Sequence, residues 1–195
     1  MILGFWLGTG FSIVAIGYLV LNVAYSSILK RIAWLDVLSI ATGFLLRILA
    51  GSYAIGLTTD EVSIYLVACT FLVALFLALG KRRQELALLG DDSHAHRSVL
   101  RDYSLRHLDV GLVVVAVLTA AAYAMYTLAP QTRAYFGTTH LVFTTPFVFL
   151  GIGRFLLLLR RRDDPRSPTD AMIRDVPFVL NIVAWAVVVI WAIYG

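Results

Sequence analysis

Six apolar runs, each long enough to cross a lipid bilayer, dominate the sequence and leave few folds open to it. They cover residues 2–26, 34–57, 62–79, 110–128, 141–159 and 176–194. A spanning helix needs about 20 apolar residues for roughly 30 Å of hydrocarbon. Only helices or closed barrels satisfy their backbone groups there, and runs this long and continuous are helical. Composition agrees: 60% of residues are hydrophobic and 14% charged, whereas a soluble domain carries roughly a quarter charged. The expectation is an all-α polytopic membrane helical bundle of about six transmembrane helices, forming a single membrane domain over 1–195. The single cysteine, Cys69, excludes an internal disulfide and reads as a small buried apolar residue. The N-terminus lacks the basic region and small-residue cleavage site of a signal peptide.

The connections between runs alternate in charge. Lys30 and Arg31 follow the first run; Lys81, Arg82, Arg83, Arg97, Arg101 and Arg106 follow the third; Arg160, Arg161, Arg162, Arg166 and Arg174 follow the fifth. These make 13 of the 16 basic residues, all on one side of the bundle, while Arg133 stands opposite and Arg47 and Arg154 fall within runs. The positive-inside rule makes the basic side cytoplasmic, in a plasma (inner) membrane protein with both termini outside. The net charge of +4 is thereby a matter of topology, and no nucleic-acid partner is expected.

The same side holds the chemistry-bearing residues. Asn22, Tyr25, Ser26 and Lys30 recur at i, i+3, i+4 and i+8, within a helical sector of roughly 140°. They read either as a polar bundle-facing stripe with a snorkelling lysine or as part of a site. Asp36, Ser39, Gly43, Arg47 and Gly51 mark a face of the second run. Asp36 suits a helix start, whereas Arg47 lies deeper and needs an acidic group, carbonyls or a phosphate as partner. Lys81 and Glu85 are spaced for an i, i+4 pair. Leu86, Leu88 and Leu89 suggest an interfacial helix, Gly90 to Ser93 a capped turn, and 94–107 an amphipathic surface helix. Its arginines suit anionic lipid heads or a polyphosphate equally. His94 and His96 lack further zinc ligands. Glu85, Asp91 and Asp92 could offer oxygen to Mg²⁺. No phosphate-binding glycine–lysine loop, nucleophile elbow or dinucleotide glycine fingerprint occurs.

Three stretches resemble a known family. LNVAYSSILKRIAWLDVLSIATGFLLRILAG and LFLALGKRRQELALLGDDSHAHRSVLRDYSLRHLD, with their YSxxLK and KRxxE motifs, are similar to the polyprenyl-phosphate phosphoribosyltransferase branch of the UbiA prenyltransferase superfamily. GIGRFLLLLRRRDDPRSPTDAMIRD is a looser match. The resemblance implies a UbiA-type, nine-helix, Mg²⁺-dependent enzyme of cell envelope biosynthesis with a cavity opening to the cytoplasm. It would transfer a phosphoribosyl group from phosphoribosyl pyrophosphate to a polyprenyl phosphate. Lys30, Lys81 and Arg82 would contact phosphate, and Glu85 would orient a base or bind the metal. Asn22, Tyr25, Arg47 and Tyr103 would join them in binding substrate.

The family's first aspartate-rich motif, of the NDxxDxxxD kind, is absent from this sequence. The chain therefore resembles the last six of nine helices. Activity is expected to require a separate N-terminal polypeptide or another copy in a homo-oligomer. Two alternatives stand beside this reading. One is a prenyltransferase moving an isoprenyl chain from its diphosphate to an aromatic acceptor; the other is a non-enzymatic transporter or scaffold.

Overall fold

The computed structural model describes residues 8–57, 62–89, 100, 102–160 and 168–195. It is an all-α membrane bundle with six helices long and apolar enough to span. Helix α1 is Thr9–Ser27. A 3-10 turn, Leu29–Arg31, leads into α2, Leu35–Ala54. Helix α3 is Ile64–Leu89 and α4 is Leu105–Leu128. Short α5, Pro130–Phe136, and a 3-10 turn, His140–Thr144, precede α6, Thr145–Leu159. Short α7, Pro168–Arg174, precedes α8, Val176–Tyr194.

Sequence neighbours are spatial neighbours. Helix α1 packs on α2, α2 on α3, α3 on α4, α4 on α6, and α6 on α8, with α7 wedged against α3, α6 and α8. The main core lies toward one end of the bundle. It joins Val37 at the start of α2, Phe76 and Leu79 late in α3, Leu108 and Leu112 early in α4, and Phe155 and Leu159 late in α6. This is the end that carries the basic connections. Exposed Ile, Leu, Val and Phe side chains elsewhere on the spans are what lipid-facing surface requires, since hydrocarbon does not expel them.

Close packing at this end depends on Gly80. A Cβ there would stand 2.7 Å from the Phe155 ring, and that ring meets Phe76 at 4.8 Å between centroids. The missing side chain lets α6 approach α3 one residue before Lys81.

The last span, 176–194, appears as expected, and other limits differ, most of all at α3 and α4. Helix α3 runs on to Leu89, so Leu86 and Leu88 belong to it and not to a separate interfacial helix. Lys, Arg, Gln, Glu, Leu and Ala all favour helix, and nothing interrupts them before Gly90. At 26 residues the helix is about 39 Å long and outruns roughly 30 Å of hydrocarbon. Its KRxxE turns thus project at the basic end. Helix α4 begins at Leu105, where the Ser104 hydroxyl accepts the His107 N–H at 3.2 Å. Arg106 and His107 are therefore the first turn of a span and not the end of a surface helix. Pro146 occupies the first turn of α6 behind a 3-10 lead-in. Asp91, Asp92, Ser93, His94, His96, Arg97 and Arg101 lie outside the described residues.

Candidate functional site

At the basic end, Asp36 is the centre of a buried polar network. It sits in the first turn of α2 with none of its surface exposed. An ionised carboxylate survives such burial only when paired and hydrogen-bonded. Arg82 supplies the charge, its Nε donating to Oδ2 at 2.5 Å. The Tyr103 hydroxyl donates to Oδ1 at 2.5 Å and accepts the Trp34 N–H at 2.8 Å. Arg82 extends the chain by donating Nη1 to Glu85 three residues on. Burial, with the bond to Asp36 second, raises the Tyr103 hydroxyl above the usual phenol range. It therefore remains a donor throughout ordinary pH.

The local sequence produces this arrangement through Trp34. Its φ of 68° is left-handed, an uncommon backbone for a bulky residue. This turn follows the 3-10 segment and starts α2 back along α1. The Tyr103 hydroxyl captures its N–H, and the two rings meet edge-on at 5.4 Å.

Successive residues on α3 are rotated by about 100°, so Lys81, Arg82 and Arg83 serve three directions. Lys81 is exposed. Arg82 turns inward to α2 and is 3% exposed. Arg83 reaches Asp109 of α4 at 2.9 Å and the Leu159 carbonyl of α6 at 2.5 Å. Arg154 of α6 holds Asp175 in a forked pair, Nε to Oδ1 at 2.9 Å and Nη2 to Oδ2 at 2.8 Å. Asp175 also caps α8 by accepting the Phe178 N–H at 2.9 Å. Such planar pairs are among the stronger charge-assisted hydrogen bonds.

A second feature lies deeper. A cleft of about 120 Å³ between α1 and α2 is lined by Tyr18, Asn22, Tyr25, Ser39 and Arg47, among others. Arg47 donates Nη2 to the Tyr18 hydroxyl at 2.6 Å and Nε at 3.2 Å. Its guanidinium also stands 5.2 Å and 5.0 Å from the Tyr18 and Phe44 ring centres, within cation–π range. The Asn22 amide donates to the Tyr18 carbonyl at 2.7 Å.

The expected site residues thus fall into three groups. Asn22, Tyr25 and Arg47 meet at the cleft; Arg82, Glu85 and Tyr103 belong to the buried network; Lys30 and Lys81 stand exposed at the same end. Four of these residues have protein partners that their spacing did not show. Arg82 and Tyr103, expected at substrate, each donate a hydrogen bond to Asp36 inside the protein. Glu85, expected opposite Lys81, pairs with Arg82. Arg47 finds a phenol and two rings where an acid, carbonyls or a phosphate was expected. Asp36 was readable only as a helix-start residue, because the arginine that claims it lies 46 positions away. An aspartate inside a spanning run was the available signal.

Among the described residues no three His, Cys, Asp or Glu side chains cluster to hold a metal ion. Of the carboxylates expected to do so, Glu85 is paired with Arg82, and Asp91 and Asp92 lie outside the described residues. The described residues do not by themselves fit a resident Mg²⁺ ion.

No protein-family model matches the chain. It is similar to curated proteins that share one name, decaprenyl-phosphate phosphoribosyltransferase. The relative from Mycolicibacterium smegmatis is 26% identical over 155 residues, 74% of this chain and 48% of its own length. That from Corynebacterium glutamicum is 24% identical over 178 residues, covering 91% and 52%. That from Mycobacterium tuberculosis H37Rv is 26% identical over 188 residues, covering 93% and 58%. The chain spans about half the length of the curated relatives it matches, and the likeness runs through most of its own.

Proposed function

We propose that this chain is part of a UbiA-type membrane transferase that moves a phosphoribosyl group from phosphoribosyl pyrophosphate to a polyprenyl phosphate. The observation that carries the reading is the single name shared by relatives aligned over 74% to 93% of the chain. A cationic end on a six-span bundle suits a donor that is soluble and polyanionic and an acceptor that is anchored in lipid.

In this reaction an oxygen of the acceptor phosphate forms a bond to C1 of the ribose. The bond from C1 to the pyrophosphate oxygen breaks, and pyrophosphate leaves with the electron pair. Negative charge grows on the leaving group, so positioned cations stabilise the transition state. Lys30 and Lys81, exposed at the basic end, take that role. Mg²⁺ would enter with the donor and would neutralise charge on its diphosphate. Asn22, Tyr25 and Arg47 line the cleft where the acceptor lies. By the positive-inside rule the basic end faces the cytoplasm of a plasma membrane.

The test is transfer of radiolabelled phosphoribosyl to polyprenyl phosphate in membranes containing the chain. It is run with and without Mg²⁺, and with and without the polypeptide encoded beside it. Transfer that needs Mg²⁺ and disappears in Lys81→Ala supports the proposal. Folded protein that transfers nothing under any of these conditions refutes it.

A further inference from the structure

We propose that Asp36, Arg82 and Tyr103 touch no substrate and act as positioning residues, holding the turn that bears Lys30 in register with the helical turn that bears Lys81 and Glu85. The expected effect on anion binding rests on the function proposed above; the geometry does not.

The network is continuous. Trp34 N–H donates to Tyr103, Tyr103 to Asp36, and Arg82 to both Asp36 and Glu85. It joins three parts of the chain that are remote in sequence: the turn before α2, the end of α3, and the segment entering α4. Each link is buried or half-buried, with Asp36 0%, Arg82 3% and Tyr103 6% exposed. Substrate cannot reach groups so enclosed without dismantling the core around them, because Tyr103 packs in one cluster with Val37, Leu79 and Leu108.

What the network holds is strained. Trp34 carries the left-handed backbone noted above, a state that persists only where the surroundings impose it. Lys30 lies four residues before Trp34 on the short 3-10 turn, and that turn has few contacts of its own beyond α1 and α2. Tyr103 is the only side chain among the described residues recorded on the Trp34 N–H. On the other side, Arg82 separates Lys81 from Glu85 and ties their helical turn to the same carboxylate. Two exposed lysines on different helices are thereby referred to one buried acid. A reaction stabilised by charge at a developing anion is sensitive to such spacing, since a misplacement of about 1 Å can cost on the order of 100-fold.

The experiment uses the full chain in lipid nanodiscs in a Cys69→Ser background. Spin labels at Ile32→Cys and Leu88→Cys, both exposed positions outside the named machinery, report the spacing of the two turns. Binding of magnesium pyrophosphate is measured in parallel by calorimetry. Tyr103→Phe should broaden the label distance distribution and weaken pyrophosphate on the order of 10- to 100-fold. Adding Lys30→Ala to Tyr103→Phe should then cost little more, because the first change already acts through Lys30. Asp36→Asn, which keeps an acceptor for Tyr103, serves as the second variant should Tyr103→Phe not fold. It should broaden the same distribution.

An unchanged distribution in both folded variants overturns the proposal, whatever happens to binding. Fully additive losses from Tyr103→Phe and Lys30→Ala overturn it as well. Should the parent bind no pyrophosphate, the anion reading of the site falls, and the distances alone decide: broadening supports the positioning role and constancy refutes it.

Discussion

Removing Arg82 should harm the fold more than removing Asp36, although the two are partners. Arg82 serves two carboxylates, Asp36 and Glu85. In Asp36→Asn the guanidinium keeps Glu85, and the new amide oxygen can still accept from Tyr103. The loss is one charge-assisted hydrogen bond, about 1.5–3 kcal/mol. In Arg82→Met the stem is replaced but Asp36 is left buried without a cation, and Glu85 loses its bond to Arg82. Orphaning a buried ionic partner costs about 3–5 kcal/mol. For chains of 150–250 residues about 1 kcal/mol shifts the melting temperature by roughly 2–4 °C. Arg82→Met should therefore melt about 6–20 °C below the parent. The combination Arg82→Met with Asp36→Leu should regain part of that, since no buried charge then remains at Asp36. Tryptophan fluorescence during thermal unfolding in one fixed detergent measures all four proteins. Equal shifts for Arg82→Met and Asp36→Asn, or a double variant no more stable than Arg82→Met alone, would refute the reasoning.

Three further outcomes follow from the same geometry. Gly80→Ala should force the Phe155 ring from its seat against α3 and destabilise by about 1–3 kcal/mol, while pairing it with Phe155→Leu should recover stability in the same unfolding assay. Asp175→Asn keeps a good helix cap for Phe178 and loses the charge opposite Arg154, whereas Asp175→Ala loses the cap as well and should be less stable than Asp175→Asn by about 1 kcal/mol. Tyr103 should stay protonated where ordinary tyrosines ionise, because burial and its bond to Asp36 raise it above the usual phenol range. Its contribution to stability is complete below that range and lost only as pH rises through the folded value. Phenolate absorbance of the parent and of Tyr103→Phe should accordingly coincide up to about pH 10, the ordinary tyrosine range; a missing phenolate in the variant would contradict it.

The six spans and the clustering of basic residues at one end were legible in the sequence, down to the limits of the last helix at 176–194. They depend on composition summed over some twenty consecutive positions, and lipid admits no other regular structure for such runs. The extension of α3 to Leu89 was obscured by charge, since a helix leaving the membrane stops looking apolar before it stops being helical. The candidate site was legible as a set of residues but not as a set of roles. YSxxLK and KRxxE pointed to Lys30, Lys81, Arg82 and Glu85, and nothing in their spacing distinguished the lysines that face solvent from the arginine that faces Asp36. Likewise Arg47 announced only that it needed a partner, and Tyr18, 29 positions earlier, provides it. Only the tertiary structure decided these pairings. Helix formation is a local property written along the chain, whereas the partner of a buried charge is whichever group another helix brings within about 3 Å when the bundle closes.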